Sequence, residues 1–288
     1  MMIGSLKRIK SLSYRRNSWW TGSLLLLSTG FILFIVICSL FPDQIASHSP
    51  TRMDPSDALL APSLEHLLGT DQFGRDIFSL IVHGSQQSVV IGVLSVLIGG
   101  GIGALIGLVS GYCNNALDNT FMRIMDIIMT IPGIMLAILV SAVLGPSTLN
   151  LILAVSIASL PGYARVMRGQ VLHVKDAGYV HASRSIGLGH TGRILFHILP
   201  NSLPPMLVMA TIGVGNAILM ATGLSFLGLG TVHEIPDWGY LLSLGRDYLT
   251  VAWWIGFFPG LFISLFVISV NILGDAYRNY LDPRSATS

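Results

Sequence analysis

The chain has 288 residues, 52% hydrophobic and only 10% charged, with a formal net charge of +2. A soluble domain carries about 25% charged residues, so the composition excludes an ordinary soluble domain and defines an integral membrane protein with no expected nucleic-acid partner. The two cysteines, Cys38 and Cys113, have spacing for neither a disulfide framework nor a metal site.

Residues 1–19 carry Lys7, Arg8, Lys10, Arg15 and Arg16 without an acid, and Trp19 and Trp20 stand where an interfacial anchor belongs. Residues 20–41 are free of charge. They are longer than a signal-peptide core of about 7 to 15 residues and lack a clear cleavage site, which predicts a first spanning helix. Residues 42–87 form a polar connection with six acids, Asp43, Asp54, Asp57, Glu65, Asp71 and Asp76, against Arg52 and Arg75. After a turn-rich stretch, Ile77, Phe78, Ile81 and Val82 give one apolar stripe and predict a helix lying on the membrane surface. That helix reads either as a docking or gating element or as a structural re-entry segment.

A second span covers residues 88–112. Within it Gly99, Gly103, Gly107 and Gly111 recur every fourth residue, a strip suited to close helix packing rather than ligand binding. Arg123 and Asp126 are spaced to pair at i and i+3, at the foot of a third span over residues 127–144 that Pro132 should kink. Gly145-Pro146-Ser147 predicts a tight turn, and residues 149–164 a short fourth span from which Arg165 snorkels.

Residues 165–201 interrupt the apolar run with five basic residues. Asp176 is placed to cap a helix, Gly187 and Gly189 to end it, and Tyr179, Ala182, Ser183 and Ile186 fall on one face. Thr191 is placed to cap a second short helix, and Pro200, Pro204 and Pro205 to turn the chain back into the bilayer. The fifth span, residues 202–229, contains Thr211, Asn216 and Thr222, which are costly facing lipid and so face other helices or an aqueous path. Residues 251–274 predict a sixth span opening on Trp253 and Trp254 as an interfacial belt, and residues 275–288 a tail. Six spans put both termini on one side with thirteen of the sixteen basic residues, while nine of the fourteen acids lie opposite. The positive-inside rule places that basic side in the cytoplasm.

The stretch Tyr179-Val180-His181-Ala182-Ser183-Arg184-Ser185-Ile186-Gly187, followed by His197-Ile198-Leu199-Pro200-Asn201, resembles the EAA loop of ATP-binding-cassette (ABC) importer permeases. Among these it is similar to the C-type subunit of the dipeptide, oligopeptide and nickel permeases, with His181 where the motif has Glu and Ser183 where it has its second Ala. The stretches Leu67 to Asp76, Gly223 to Gly230, Pro236-Asp237-Trp238-Gly239 and Asp282-Pro283-Arg284 also resemble that family.

The resemblance implies an all-α membrane protein of six transmembrane helices with the type I ABC importer (MetI-like) permease fold. Its parts would be a cytoplasmic segment 1–19, a first helix 20–41, an extracytoplasmic loop 42–87, a five-helix core 88–274 with coupling loop 165–201, and a cytoplasmic tail 275–288. It implies that Tyr179, Val180, His181, Ala182, Ser183, Arg184, Ile186, Gly187, Pro200 and Asn201 meet an ATPase. It also implies a second homologous permease, one or two ATPase subunits, and an extracytoplasmic solute-binding protein, assembled in a bacterial inner membrane. The cargo implied is a short peptide, with nickel or a metal chelate as the alternative.

The centres of the predicted spans lack Asp, Glu, Lys and Arg, which leaves ion-coupled transport without an evident site. The chain also lacks a G-x-x-x-x-G-K-[ST] loop, so ATP and Mg are expected on partner ATPase chains and no cofactor on this one. The eight histidines, His48, His66, His83, His173, His181, His190, His197 and His233, form no H-E-x-x-H or comparable pair. Neither a catalytic residue nor a metal ligand is therefore expected. A stand-alone carrier or pore is the remaining alternative.

Overall fold

The computed structural model describes residues 3–230 and 234–281, with side chains from residue 22 to residue 280. The side chains of Trp19 and Trp20, His233, and the Asp282-Pro283-Arg284 ending lie outside the described residues. Nine helices are used below: α1 (Ile3–Leu40), α2 (Ile77–Tyr112), α3 (Asn115–Met129), α4 (Gly133–Leu144), α5 (Thr148–Lys175), α6 (Gly178–Ser185), α7 (His190–Phe226), α8 (Trp238–Arg246) and α9 (Trp254–Leu281). Five of them, α1, α2, α5, α7 and α9, contain stretches long and apolar enough to cross a membrane; the bent pair α3 and α4 would supply a sixth crossing. Only 22% to 44% of each of the five apolar stretches is buried within the protein. Leu26, Leu27 and Val143 are among the large apolar side chains left outside, a surface that calls for lipid rather than water.

The predicted surface helix does not exist as a separate element. Asp76 caps α2 by accepting hydrogen bonds from the Ser79 amide at 2.8 Å and the Ser79 hydroxyl at 2.7 Å. From there the helix runs unbroken to Tyr112. Ile77, Ile81 and Val82 are buried, so their stripe faces protein instead of lipid headgroups.

The third span is broken rather than kinked. The axes of α3 and α4 meet at 87°, because Pro132 has no amide hydrogen to donate and pushes Ile131 out of helical geometry. Helix α4 has 12 residues, about 18 Å of rise, which falls short of a hydrocarbon core about 30 Å thick.

Other local expectations are corrected as well. Asp126 pairs with Arg165 at 2.6 Å rather than with Arg123. Helix α5 is not short: it continues ten residues beyond Arg165 to Lys175. Pro200, Pro204 and Pro205 do not turn the chain, because they lie within α7, where Ile194–Ile198 forms a widened π turn just ahead of Pro200. Such turns absorb breaks in the hydrogen-bond ladder, and the Asn201 side-chain amide donates to the His197 carbonyl at 2.6 Å. Trp254 is not an interfacial residue: it is buried, and its indole N–H donates to the Thr70 carbonyl at 3.1 Å. Trp253 is half exposed.

Two apolar cores organise the bundle. One joins α2, α4, α5 and α7 around Ile91, Leu151, Tyr163, Met167 and Leu224. The other joins α1, α2, α8 and α9 around Ile35, Leu80, Trp238 and Phe266. Between α2 and α5 the helices run parallel and in close contact. A Cβ at Gly99 would stand 2.7 Å from the Ser156 carbonyl oxygen, and one at Gly103 2.7 Å from that of Leu160. Gly107 and Gly111 meet Ala164 and Arg168 in the same way, a step of four on both helices. Ser156 adds an interhelical bond, its hydroxyl donating to the Ser95 carbonyl at 3.1 Å.

The polar connection 42–76 is folded onto one end of this bundle. Asp71 accepts from the Phe73 and Arg75 amides and pairs with the buried Arg75 guanidinium at 2.7 Å. Gly74 has φ +75, and a Cβ there would overlap the Asp54 carbonyl, so the turn admits no other residue type without rearrangement. The Ser56 hydroxyl and amide beside Asp54 hold its carboxyl below the usual range. Arg75 also donates to the Glu234 carbonyl at 3.4 Å, and Trp238 donates to that of Ile81 at 2.9 Å. These bonds tie the connection and α2 to the segment that carries α8.

Candidate functional site

At the opposite end of the bundle, α6 and its flanks form a protruding surface. Ala177, not Asp176, is the residue before α6, and no side chain caps it; Asp176 instead closes α5. The termination matches expectation in mechanism. Gly187 has φ +88, its amide donates to the Arg184 carbonyl at 3.1 Å, and the Leu188 amide donates to that of Ser183 at 3.0 Å. This paired pattern around a left-handed glycine is a Schellman motif. The next helical turn is preceded by Gly189, and Thr191 does not cap it.

The face divides into an inner and an outer set. Val180 and Ser183 are each 4% exposed and seat the helix on its own protein. Tyr179, His181, Ala182, Arg184 and Ile186 point outward, with Ile186 84% exposed. Ser183, predicted on the outer face with Ile186, is turned inward and donates to the Val180 carbonyl at 2.7 Å. Pro200 and Asn201 are exposed further along α7, and the Tyr179 ring lies 6.3 Å from that of His197 across the bend.

The surface is braced to the transmembrane helices from several directions. Lys175 donates to the Gly111 carbonyl at 2.8 Å, and the Tyr112 hydroxyl lies 2.8 Å from His190 Nδ1. Arg168 grips Asp118 through two bonds of 2.5 and 2.6 Å, joining α5 to α3. Paired guanidinium bonds of this kind fix orientation as well as distance. Sequence reading missed the Arg168–Asp118 pair, because 50 residues separate its members.

From this surface α7 leads into a cleft of about 680 Å3 bordered by α2, α5, α7 and the end of α9. Its walls include Val96, Ser159, Tyr163, Met209, Met220 and Arg278, and Asn216 lies among them. Thr211 and Thr222 are not part of that lining. The Thr211 hydroxyl donates to the Leu207 carbonyl of its own helix at 3.0 Å, and the Thr222 backbone abuts Gly239 at the start of α8. The cleft is mainly apolar with a few polar groups, a composition suited to organic solutes.

An all-helical bundle with a braced surface helix at one end and a cleft beside it is the architecture of an ABC importer permease, and solved structures carry the same fold. The chain is similar to a chain in inward-facing structures of the MetNI methionine ABC transporter, with a TM-score of 0.57 at 20% identity, covering 70% of this chain and 97% of that one. It is also similar to a chain of an amino acid ABC transporter crystallised with histidines, with a TM-score of 0.56 at 16% identity, covering 71% and 94%. Residues 103–287 match the family described as binding-protein-dependent transport system inner membrane component. The chain belongs to that family.

Its relatives include the probable D,D-dipeptide transport system permease protein DdpC of Escherichia coli K12, 42% identical over 90% of this chain and 87% of that protein. The di/tripeptide permease DppC of Pseudomonas aeruginosa is 39% identical over 94% and 90%. The glutathione transport permease GsiD of Pectobacterium atrosepticum is 38% identical over 88% and 85%.

Proposed function

We propose that this protein is one of two permease subunits of an ATP-driven importer for short peptides, residing in a bacterial inner membrane. Peptide cargo is favoured by the names of relatives that match nearly the whole chain. The observation that carries the mechanism is the outward face of α6, braced at Gly111, Tyr112 and Asp118 and joined through α7 to the cleft wall at Asn216. In this reading Tyr179, His181, Ala182, Arg184 and Ile186 enter a groove of a separate ATPase subunit, one or two such chains completing the engine with ATP and Mg bound there. Closure of the ATPases displaces α6, and α7 carries that displacement to the cleft.

The second permease closes the open side of the cleft, so the pathway runs between the two. Both termini and α6 face the cytoplasm, in keeping with the bias of basic residues. The connection 42–76 then faces outward, where a solute-binding protein delivers cargo. Affinity purification from native membranes in mild detergent, with mass spectrometry of what accompanies the chain, tests the assembly. Recovery of a homologous permease and P-loop ATPases is expected; repeated recovery of the chain alone would return it to a stand-alone carrier or pore.

A further inference from the structure

We infer that the connection between α1 and α2 contains a binding site for a divalent transition-metal ion of the zinc type, made by His48, His66 and Asp76. The three residues are 18 and 10 positions apart in sequence, which hides them from any search for ligand spacing. The fold brings one donor atom of each within 4.8 Å of the others. His66 Nδ1 lies 3.1 Å from Asp76 Oδ1, and His48 Nδ1 lies 4.0 Å from Asp76 Oδ2. Ligands held at about 2.0 to 2.1 Å in tetrahedral array stand roughly 3.4 Å apart; His66 and Asp76 already meet that spacing, and His48, within 4.8 Å of both donor atoms, must close by up to about 1.4 Å to complete the set.

Several observations favour a cation there over a purely polar cluster. His48 Nδ1 is buried without a hydrogen-bond partner among the described residues, although it points into the group. The two imidazoles lie with centroids 4.8 Å apart and planes tilted by 34°, so both rings stand beside the Asp76 carboxylate. A side-chain nitrogen left in that position is costly unless something occupies it. The Asp76 carboxylate is positioned from both sides: Oδ2 is held by the Ser79 amide and hydroxyl, leaving Oδ1 toward His66. The Ser79 hydroxyl also accepts from the His48 amide at 3.0 Å, so the helix cap orders two of the three ligands.

A cavity of about 40 Å3 adjoins the cluster and is bordered by Asp54, Asp57 and Glu65 against Arg52. It has room for an ion and a water as fourth ligand, and its acids supply negative potential. Two imidazoles and one carboxylate select zinc or a neighbouring first-row metal over magnesium or calcium, which take oxygen ligands. A bound ion would join three points of the connection to the start of α2.

The test uses the full chain, purified untagged by histidine in detergent, with Zn2+ and Co2+ as probes and Mg2+ as the oxygen-ligand control. One Zn2+ per chain is expected, with Co2+ giving the visible absorption of a four-coordinate nitrogen and oxygen site. His48→Gln and His66→Gln should each weaken Zn2+ affinity by more than the roughly 10- to 100-fold that loss of an outer-sphere partner costs. Because buried His66 also supports the fold, melting without metal is measured for both variants, and the partly exposed His48 gives the cleaner comparison. Absence of stoichiometric Zn2+ binding, wild-type affinity in His48→Gln, or Mg2+ binding as tight as Zn2+ would each overturn the assignment.

Discussion

Gly187 is the residue on which the protruding surface turns. Its φ of +88 costs an L-residue about 1–2 kcal/mol, yet a Cβ there would meet no atom within 4 Å. Substitution is therefore tolerable to the fold but conspicuous to a partner. Gly187→Arg is expected to leave membrane abundance near wild type on immunoblots while lowering peptide uptake about tenfold or more, equivalent to about 1.4 kcal/mol. Gly187→Asn, which accepts left-handed geometry, should keep most of the uptake. Normal uptake in Gly187→Arg would remove α6 from the ATPase contact. This glycine could be read from the sequence because a helix stop leaves a local signature. Asp176 misled for the same reason: an acid next to a helix looks like a start signal, and here it follows the last residue of α5. His48, His66 and Asp76 left no local trace, since only the folded connection assembles them.

Among elements, the clearest agreement between pattern and packing is the glycine strip of α2. A period of four is a property of one helix face, so it survives whatever the rest of the chain does. The prediction follows from the contacts. Gly103→Leu would set a side chain against the Leu160 carbonyl and Tyr163, at a cost of about 1–3 kcal/mol or more for overpacking. Melting of the purified protein should fall by several degrees. Gly101→Leu, on the same helix but with open space around it, should melt no lower than the wild type, since leucine favours a helix over glycine; equal losses in both would mean that the α2–α5 seam is not responsible. Prolines were harder to read. Pro132 ends a helix at 87° whereas Pro200 is carried through a widened turn, and the same missing donor underlies both outcomes. What differs is the local ladder: ahead of Pro200 it widens, the Leu199 amide reaching back to the Ile194 carbonyl, an accommodation that leaves no mark in the sequence pattern.

At the scale of the whole molecule, the cleft joins residues from four helices, and of the three polar candidates in α7 Asn216 alone lines it. Periodicity could place all three in one span but could not say which way each one points. Asn216→Trp is expected to abolish uptake of short peptides while partner subunits still co-purify, because the added volume fills the cleft and lies away from α6. Asn216→Ala should transport. Undiminished uptake by the Trp variant would move the pathway elsewhere.

The far end of the molecule is joined differently, by bonds between early and late parts of the chain. Trp254 donates to the Thr70 carbonyl across 184 residues, and Arg75 to that of Glu234 across 159. Synthesis proceeds from the N-terminus at about 5–20 residues per second, so Thr70 waits on the order of 10–40 s for its partner to be made. The clasp over the connection is thus among the last joints to close during biogenesis. A chain halted before Trp254 leaves it open, and the arrival of the final helix is registered at a site laid down in the first quarter of translation.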